Sequence, residues 1–71
     1  MLYTIWERYE FRSNKGVKWT NWFKLFDIKP TENKEELKGK LKELKNSNKY
    51  VSSKTGGLKI ESKIDEYYGD H

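Results

Sequence analysis

Aromatic and cationic side chains alternate along two neighbouring stretches of the sequence, and this pattern has the clearest chemical potential in the chain. Tryptophan rings stack on nucleic-acid bases or fill protein pockets, while Lys and Arg pair with phosphates or carboxylates. The residues predicted to form one partner-binding surface are Trp6, Arg8, Arg12, Lys18, Trp22, Lys24 and Phe26.

A β-hairpin is the element that would bring these side chains together. The pattern predicts a strand from Leu2 to Arg12, a turn from Ser13 to Gly16, and a second, aromatic-rich strand from Val17 to Ile28. A three-residue loop is predicted, with Gly16 at positive φ in the left-handed position of a bulge. Lys29-Pro30 then ends the second strand, because proline has no amide to donate.

The register of the hairpin decides which residues share a face, since a slip of one residue turns every side chain over. The three-residue loop pairs Phe11 with Trp19 and gives one face that carries no cation. A two-residue loop sets Phe11 against Lys18 and scatters cations among the apolar residues, so the first register is favoured. The predicted core face carries Tyr3, Ile5, Tyr9, Phe11, Trp19, Phe23 and Leu25.

One helix follows the hairpin. We expect Thr31 or Asn33 to cap it, Glu36 to complete a capping box with Asn33, and the helix to end near Lys45 or Asn46. Its apolar stripe consists of Leu37, Leu41 and Leu44, which should pack on the predicted core face.

Lysines form a second stripe along the same helix, within about 80° of one another. The candidates for phosphate or acidic-partner contacts are Lys34, Lys38, Lys42 and Lys45, with Lys49 joining them if the helix extends that far. The alternative is that the aliphatic parts of these lysine side chains cover the edge of the core while their ammonium groups stay in water.

A last strand is predicted from Leu58 to Tyr67, with Leu58, Ile60 and Ile64 on its core face and the charged residues between them in solvent. Tyr50-Val51 is a candidate for a short extra strand, residues 52–57 for a turn, and residues 69–71 for a frayed end. The predicted fold class is α+β, a small antiparallel sheet (ββαβ) with one helix packed on one face. All 71 residues should belong to one domain.

Groups that could perform catalysis do not converge in this sequence. It has no cysteine, its one histidine is His71 near the last residues, and the neighbours Asp65 and Glu66 should point to opposite faces of a strand. We therefore expect no enzymatic activity, no cofactor and no metal site.

The Trp6/Trp22 surface has three possible explanations. It is a contact site for a partner, it is buried in a homodimer, or its cross-strand pairs simply stabilise the hairpin. The C-terminal segment could also fold back over it. The cations around the rings favour a contact site, because a core would not choose them.

Nucleic-acid binding through the aromatic and basic sheet face is the predicted function. The net charge of +4 and the pI near 9.3 are compatible with a polyanionic partner. The alternative is a protein-interaction module with an acidic partner, such as a small phage or mobile-element protein that inhibits a host protein. The first residues alternate and Glu7 is already charged, so we expect a cytoplasmic chain that does not enter a membrane.

Overall fold

A computed structural model describes residues 1–54 and 56–68, and of residues 52 and 53 the backbone alone. The expected frayed end at residues 69–71 lies outside the described residues. In chain order the elements are β1 (Leu2–Ser13), β2 (Gly16–Trp19), β3 (Phe23–Lys24), α1 (Lys34–Lys54) and β4 (Ile60–Tyr67). The predicted class is confirmed: one helix packs on an antiparallel sheet of four strands.

Strand β1 lies at the centre of the sheet. Short β2 and β3 pair with one edge of β1, and β4 pairs with the other edge from Leu2↔Tyr67 to Tyr9↔Ile60. The last strand is therefore confirmed, although it begins at Ile60 rather than Leu58. Its long pairing with β1 places the alternating side chains of the two strands on common faces.

The hairpin has two registers rather than the single one predicted. Ser13 pairs with Gly16 and Glu10 with Trp19, so the loop contains two residues and the three-residue loop was wrong. Farther from the turn, Glu7 pairs with Phe23, which is the predicted register. The positive φ of Gly16, 114°, is confirmed.

The slip between these registers occurs at residues 20–22, where the second strand is interrupted. The amide of Thr20 donates to the carbonyl of Tyr9 at 2.8 Å, and the Thr20 hydroxyl accepts from the Tyr9 amide at 3.0 Å. A side-chain oxygen thus replaces a strand carbonyl, and an extra residue is inserted as in a β-bulge. In the register of the two-residue loop, Trp19 leaves the predicted core face and Lys18 enters it, opposite Phe11.

The chain turns earlier than predicted, because the second strand ends at Lys24 instead of Ile28. The amide of Ile28 donates to the carbonyl of Leu25 at 3.2 Å, and the Lys24 ammonium donates to the carbonyls of both residues at 3.2 Å. This turn brings Ile28, which was predicted to end the second strand, into the core, and it leaves Phe26 at the turn with 95% of its surface exposed.

Asn33 caps α1, as predicted. Its Oδ1 accepts from the amides of Glu35 at 3.1 Å and Glu36 at 3.4 Å. The capping box was wrong, because the Asn33 amide donates to the Thr31 hydroxyl at 3.1 Å while the Glu36 carboxylate lies 4.0 Å from the ammonium of Lys40.

The helix runs on to Lys54, so its predicted end near Lys45 or Asn46 was wrong. Tyr50 and Val51 are helical rather than a short strand. Asn48, which lies beyond the predicted end of the helix, faces the sheet and donates to Glu7 and Ser62. Those tertiary bonds outweigh the weak helix preference of asparagine and serine. No helix of the described residues combines the length and apolar character needed to span a membrane.

The core lies between α1 and the predicted inner face of β1. Ile5, Ile28 and Leu37 are buried. The residues packed around them are Tyr3, Leu25, Leu41, Leu44 and Ile64. The leucine stripe therefore packs where predicted. Tyr9 and Phe11 were wrongly placed in the core, because they lie toward the hairpin end of β1 and are 39% and 41% exposed.

Candidate binding face

The sheet surface opposite α1 gathers aromatic and charged side chains from β1, β2, β3 and β4. In β1 every second residue points to this side, and Trp6 lies between Lys24 of β3 and Lys63 of β4. No strand or helix of the described residues packs over it. We call this surface the tryptophan face; it comprises Trp6, Arg8, Trp19, Trp22, Lys24, Glu61, Lys63 and Tyr67.

Arg8 is the centre of the tryptophan face. Its guanidinium carbon lies 4.3 Å from the ring centroid of Trp19 and 4.8 Å from that of Trp22. The ammonium of Lys63 lies 4.4 Å from the Trp22 ring as well. The order Trp19, Arg8, Trp22, Lys63 thus forms a row in which rings and cations alternate across three strands and the bulge.

Electrostatic attraction between rings and cations fixes this row in place. A cation–π contact contributes roughly 0.5–1 kcal/mol at exposed sites. Arg8 is also held by Glu61, whose Oε1 accepts from its Nη2 at 2.7 Å and from its Nε at 3.2 Å. The aromatic rings are therefore positioned before any partner arrives, which lowers the entropy lost on binding.

The remaining members of the face are held through backbone groups. The indole Nε1 of Trp6 donates to the carbonyl of Glu66 at 3.3 Å, and Trp6 is half-buried. Lys24 lies 5.6 Å from the Tyr67 ring, but its ammonium is bonded to the two turn carbonyls described above. Lys24 consequently stabilises the turn more than it offers a free charge.

Four of the seven residues predicted for this surface lie together on it: Trp6, Arg8, Trp22 and Lys24. Arg12 lies beyond them, with its guanidinium 3.1 Å from where a Cβ on Gly56 would stand. The two-residue loop turns Lys18 to the opposite side, and the early turn removes Phe26 from the sheet. These two assignments to the sheet face were wrong.

Trp19 and Lys63 belong to the face but were not predicted there. Lys63 had a usable signal, because it alternates with Ile60 and Ile64, and pairing of β4 with β1 puts it beside Trp6. Trp19 is placed there by the two-residue loop, the register that was disfavoured from the sequence because it sets Phe11 against Lys18.

The lysine stripe of α1 lies on the other side of the molecule from the tryptophan face. Lys34, Lys38, Lys42, Lys45 and Lys49 are all exposed. The ammonium of Lys34 lies 4.2 Å from the Tyr3 ring, and that of Lys38 lies 3.0 Å from Glu35. At the edge formed by β4, Trp19 and Glu61 of the tryptophan face line the same pocket as Lys45 and Lys49, so a ligand bound there would contact both surfaces.

A buried carboxylate connects the helix to the sheet. Glu7 is 4% exposed, and its Oε1 accepts from Asn48 at 3.2 Å and from the Ser62 hydroxyl at 3.0 Å. Its Oε2 accepts from the Tyr9 hydroxyl at 3.1 Å. Burial, with the charge of Glu7 and this hydrogen bond, raises the pKa of Tyr9. The cluster fastens α1 to β1 and β4.

Metal-binding groups do not gather in the part of the chain that the structure describes: no three His, Asp or Glu side chains come close enough to hold an ion. Comparison of the chain with protein families, with curated proteins and with solved structures finds no match. The chemistry of the chain's own surfaces is thus the basis for assigning a function.

Proposed function

We propose that this chain is a non-enzymatic module that binds single-stranded nucleic acid on the tryptophan face. The alternating row of Trp19, Arg8, Trp22 and Lys63 carries the proposal, because each member lies within 5 Å of the next on a sheet face over which no helix or strand of the described residues packs. Stacking of a base on an aromatic ring contributes about 1–3 kcal/mol, and the planar guanidinium of arginine also stacks on bases.

A single strand suits this surface better than a duplex. The flat faces of bases are available only where the bases are unpaired, and stacking on tryptophan tolerates any sequence. The cytoplasmic location expected from the sequence would give the module access to such partners.

The charges of the face predict modest attraction to phosphates. Arg8 pairs with Glu61 at 2.7 Å, and Lys63 lies 3.3 Å from Asp65. The ammonium of Lys24 is bonded to carbonyls. Exposed Arg12 and one further cation would make about two phosphate contacts. Affinity for a single strand should then fall by about sevenfold between about 50 and about 200 mM salt.

Fluorescence anisotropy with a labelled oligonucleotide tests the proposal. We expect a mixed-sequence single strand to bind more tightly than its duplex at both salt concentrations, with the shallow salt dependence given above. The absence of binding by either form would refute it. Tighter binding of the duplex, with a steep salt dependence, would show that lysines rather than tryptophans bind the nucleic acid.

Protein recognition through the same face is the second candidate. The Arg8–Glu61 and Lys63–Asp65 ion pairs leave the face close to neutral, which favours a polypeptide surface over a polyanion. Tryptophan and arginine are also the residues that dominate protein-interface hot spots. A second copy of this chain is one such partner, and sedimentation over a range of concentrations identifies it. If the chain bound an acidic protein but no oligonucleotide, the result would support protein recognition over nucleic-acid binding.

A further inference from the structure

The outer edge of β4 is open for pairing. This strand has eight residues and pairs along its whole length with β1. Among the described residues no other strand pairs with it. The opposite edge of the sheet consists of β2, with four residues, and β3, with two, separated by the bulge. An added strand would therefore find a continuous template only at β4.

Alternation of the ladder identifies the unpaired backbone groups of β4. The carbonyls of Ile5 and Tyr9 accept from Leu25 and Thr20, so their main-chain groups point away from β4. In an antiparallel pair, the residue opposite such a position also directs its amide and carbonyl outward. Through the observed register, the outward-facing residues are Ile60, Ser62, Ile64 and Glu66. The Glu66 amide already donates to Asp65 Oδ1 and its carbonyl accepts from Trp6, so the stretch open for pairing runs from Ile60 to Ile64.

Two separate pockets with lysines in their walls lie along this edge, and we call them together the groove. The narrower part, near Ile64, has a volume of about 310 Å³ and is lined by Lys34 and Lys38 and by the carboxylates of Asp65 and Glu66. The wider part, near Ile60 and Ser62, has a volume of about 700 Å³ and is lined by three cations, Lys45, Lys49 and Lys59, and by Trp19 and Glu61. The lysine stripe of α1 thus runs beside the open strand edge, while the opposite flank of the helix lies near Asp27 and Ile28.

These cations keep their charge uncompensated in the wider part of the groove. No carboxylate of the described residues lies within 4.0 Å of the ammonium groups of Lys45, Lys49 or Lys59. The nearby acids of β4, Glu61 and Asp65, are occupied by Arg8 and Lys63. The groove therefore attracts negative charge.

We propose that an acidic, extended segment of another protein adds to the sheet as a strand beside β4. Only a polypeptide carries amides and carbonyls at the spacing that a strand edge requires. Alternate side chains of the added strand would point to the helix side and meet the lysines. The occupant should therefore carry Glu or Asp at every second residue.

The dimensions of the groove match this occupant. Lys38 and Lys49 are separated by about 16 Å along the helix axis, and about five residues of an extended strand cover the same length. A second copy of the chain fits poorly, because pairing β4 with β4 would bring two rows of lysines together.

A designed peptide tests the proposal on the intact chain. The probe is a labelled, capped peptide of about seven residues with glutamate alternating with valine or threonine. Its controls are the same peptide with lysine for glutamate and one N-methylated on the amides that would pair. We expect the acidic peptide to bind, both controls to fail, and the amides of residues 60, 62 and 64 to gain protection from hydrogen exchange.

Two double variants with equal changes of net charge locate the site. Lys45→Glu with Lys49→Glu should weaken peptide binding by at least about tenfold, whereas Lys15→Glu with Lys29→Glu, on exposed sites outside the groove, should change it less than twofold. Equal effects of the two pairs would overturn the proposal, as would binding of the N-methylated peptide. Protection of residues 60, 62 and 64 by self-association or by an oligonucleotide, without the peptide, would overturn it too.

Discussion

Thr20 bonds to Tyr9 through both its amide and its hydroxyl, at 2.8 and 3.0 Å, where a regular ladder would use two backbone groups. Trp19 follows the register of the two-residue turn and Phe23 follows the register of β3, and this contact lies where the two registers meet. Without the slip, either Trp19 or Phe23 would have to change face.

Thr20→Val tests this relationship, because it removes the hydroxyl with little change in shape. The Tyr9 amide then loses its acceptor, and we expect the free energy of unfolding to fall by about 1–2 kcal/mol in urea titrations. Thr20→Ser keeps the hydroxyl oxygen, so the free energy of unfolding should fall by about half as much or less. Equal losses for the two variants would show that the hydroxyl does not hold the bulge.

Two glycines should respond in opposite directions to alanine. Gly16 has a φ of 114°, so Gly16→Ala should destabilise the chain by about 1 kcal/mol although no atom lies within 4 Å of the new Cβ. Gly39 lies within α1 with open space around it, and Gly39→Ala should stabilise the chain by about 0.5–1 kcal/mol. Thermal melting measures both; a stabilising Gly16→Ala would contradict the turn geometry.

Asn48 should support the C-terminal half of α1. Asn48→Ala removes hydrogen bonds to Glu7 and Ser62. Because the Glu7 carboxylate is buried, the free energy of unfolding should fall by about 1–3 kcal/mol. Hydrogen exchange should also quicken in the following helical turns. Exposed Asn46 provides the matched control, and Asn46→Ala should leave both quantities nearly unchanged.

The ionisation of Tyr9 should lower the free energy of unfolding at alkaline pH. Its pKa is raised in the folded state, first by burial and then by Glu7, so the neutral phenol is favoured by folding. This contribution is present below the ordinary tyrosine pKa of about 10 and is lost as pH rises through the raised value. Urea titrations of wild type and Tyr9→Phe should therefore converge as the pH is raised. A constant difference would contradict the raised pKa.

The successes and failures of sequence-based prediction follow from the range of the interactions. The Asn33 cap and the stripe of Leu37, Leu41 and Leu44 depend on near neighbours and were confirmed. The bulge depends on one hydroxyl meeting a distant amide, and the extension of α1 depends on Asn48 meeting Glu7, which is 41 residues away. Neither contact leaves a local pattern, so the change of register was missed and the helix was predicted too short.

The central claim is that the rings of the tryptophan face bind a partner, and a comparison of two aromatic truncations tests it most directly. Trp22 is half-buried between Arg8 and Lys63, whereas Phe26 is exposed in the turn. We expect Trp22→Ala to weaken binding of a labelled single-stranded oligonucleotide by about 1–3 kcal/mol and Phe26→Ala to leave it unchanged, both measured by anisotropy on variants shown to be folded. Equal affinities of Trp22→Ala and wild type would contradict the account.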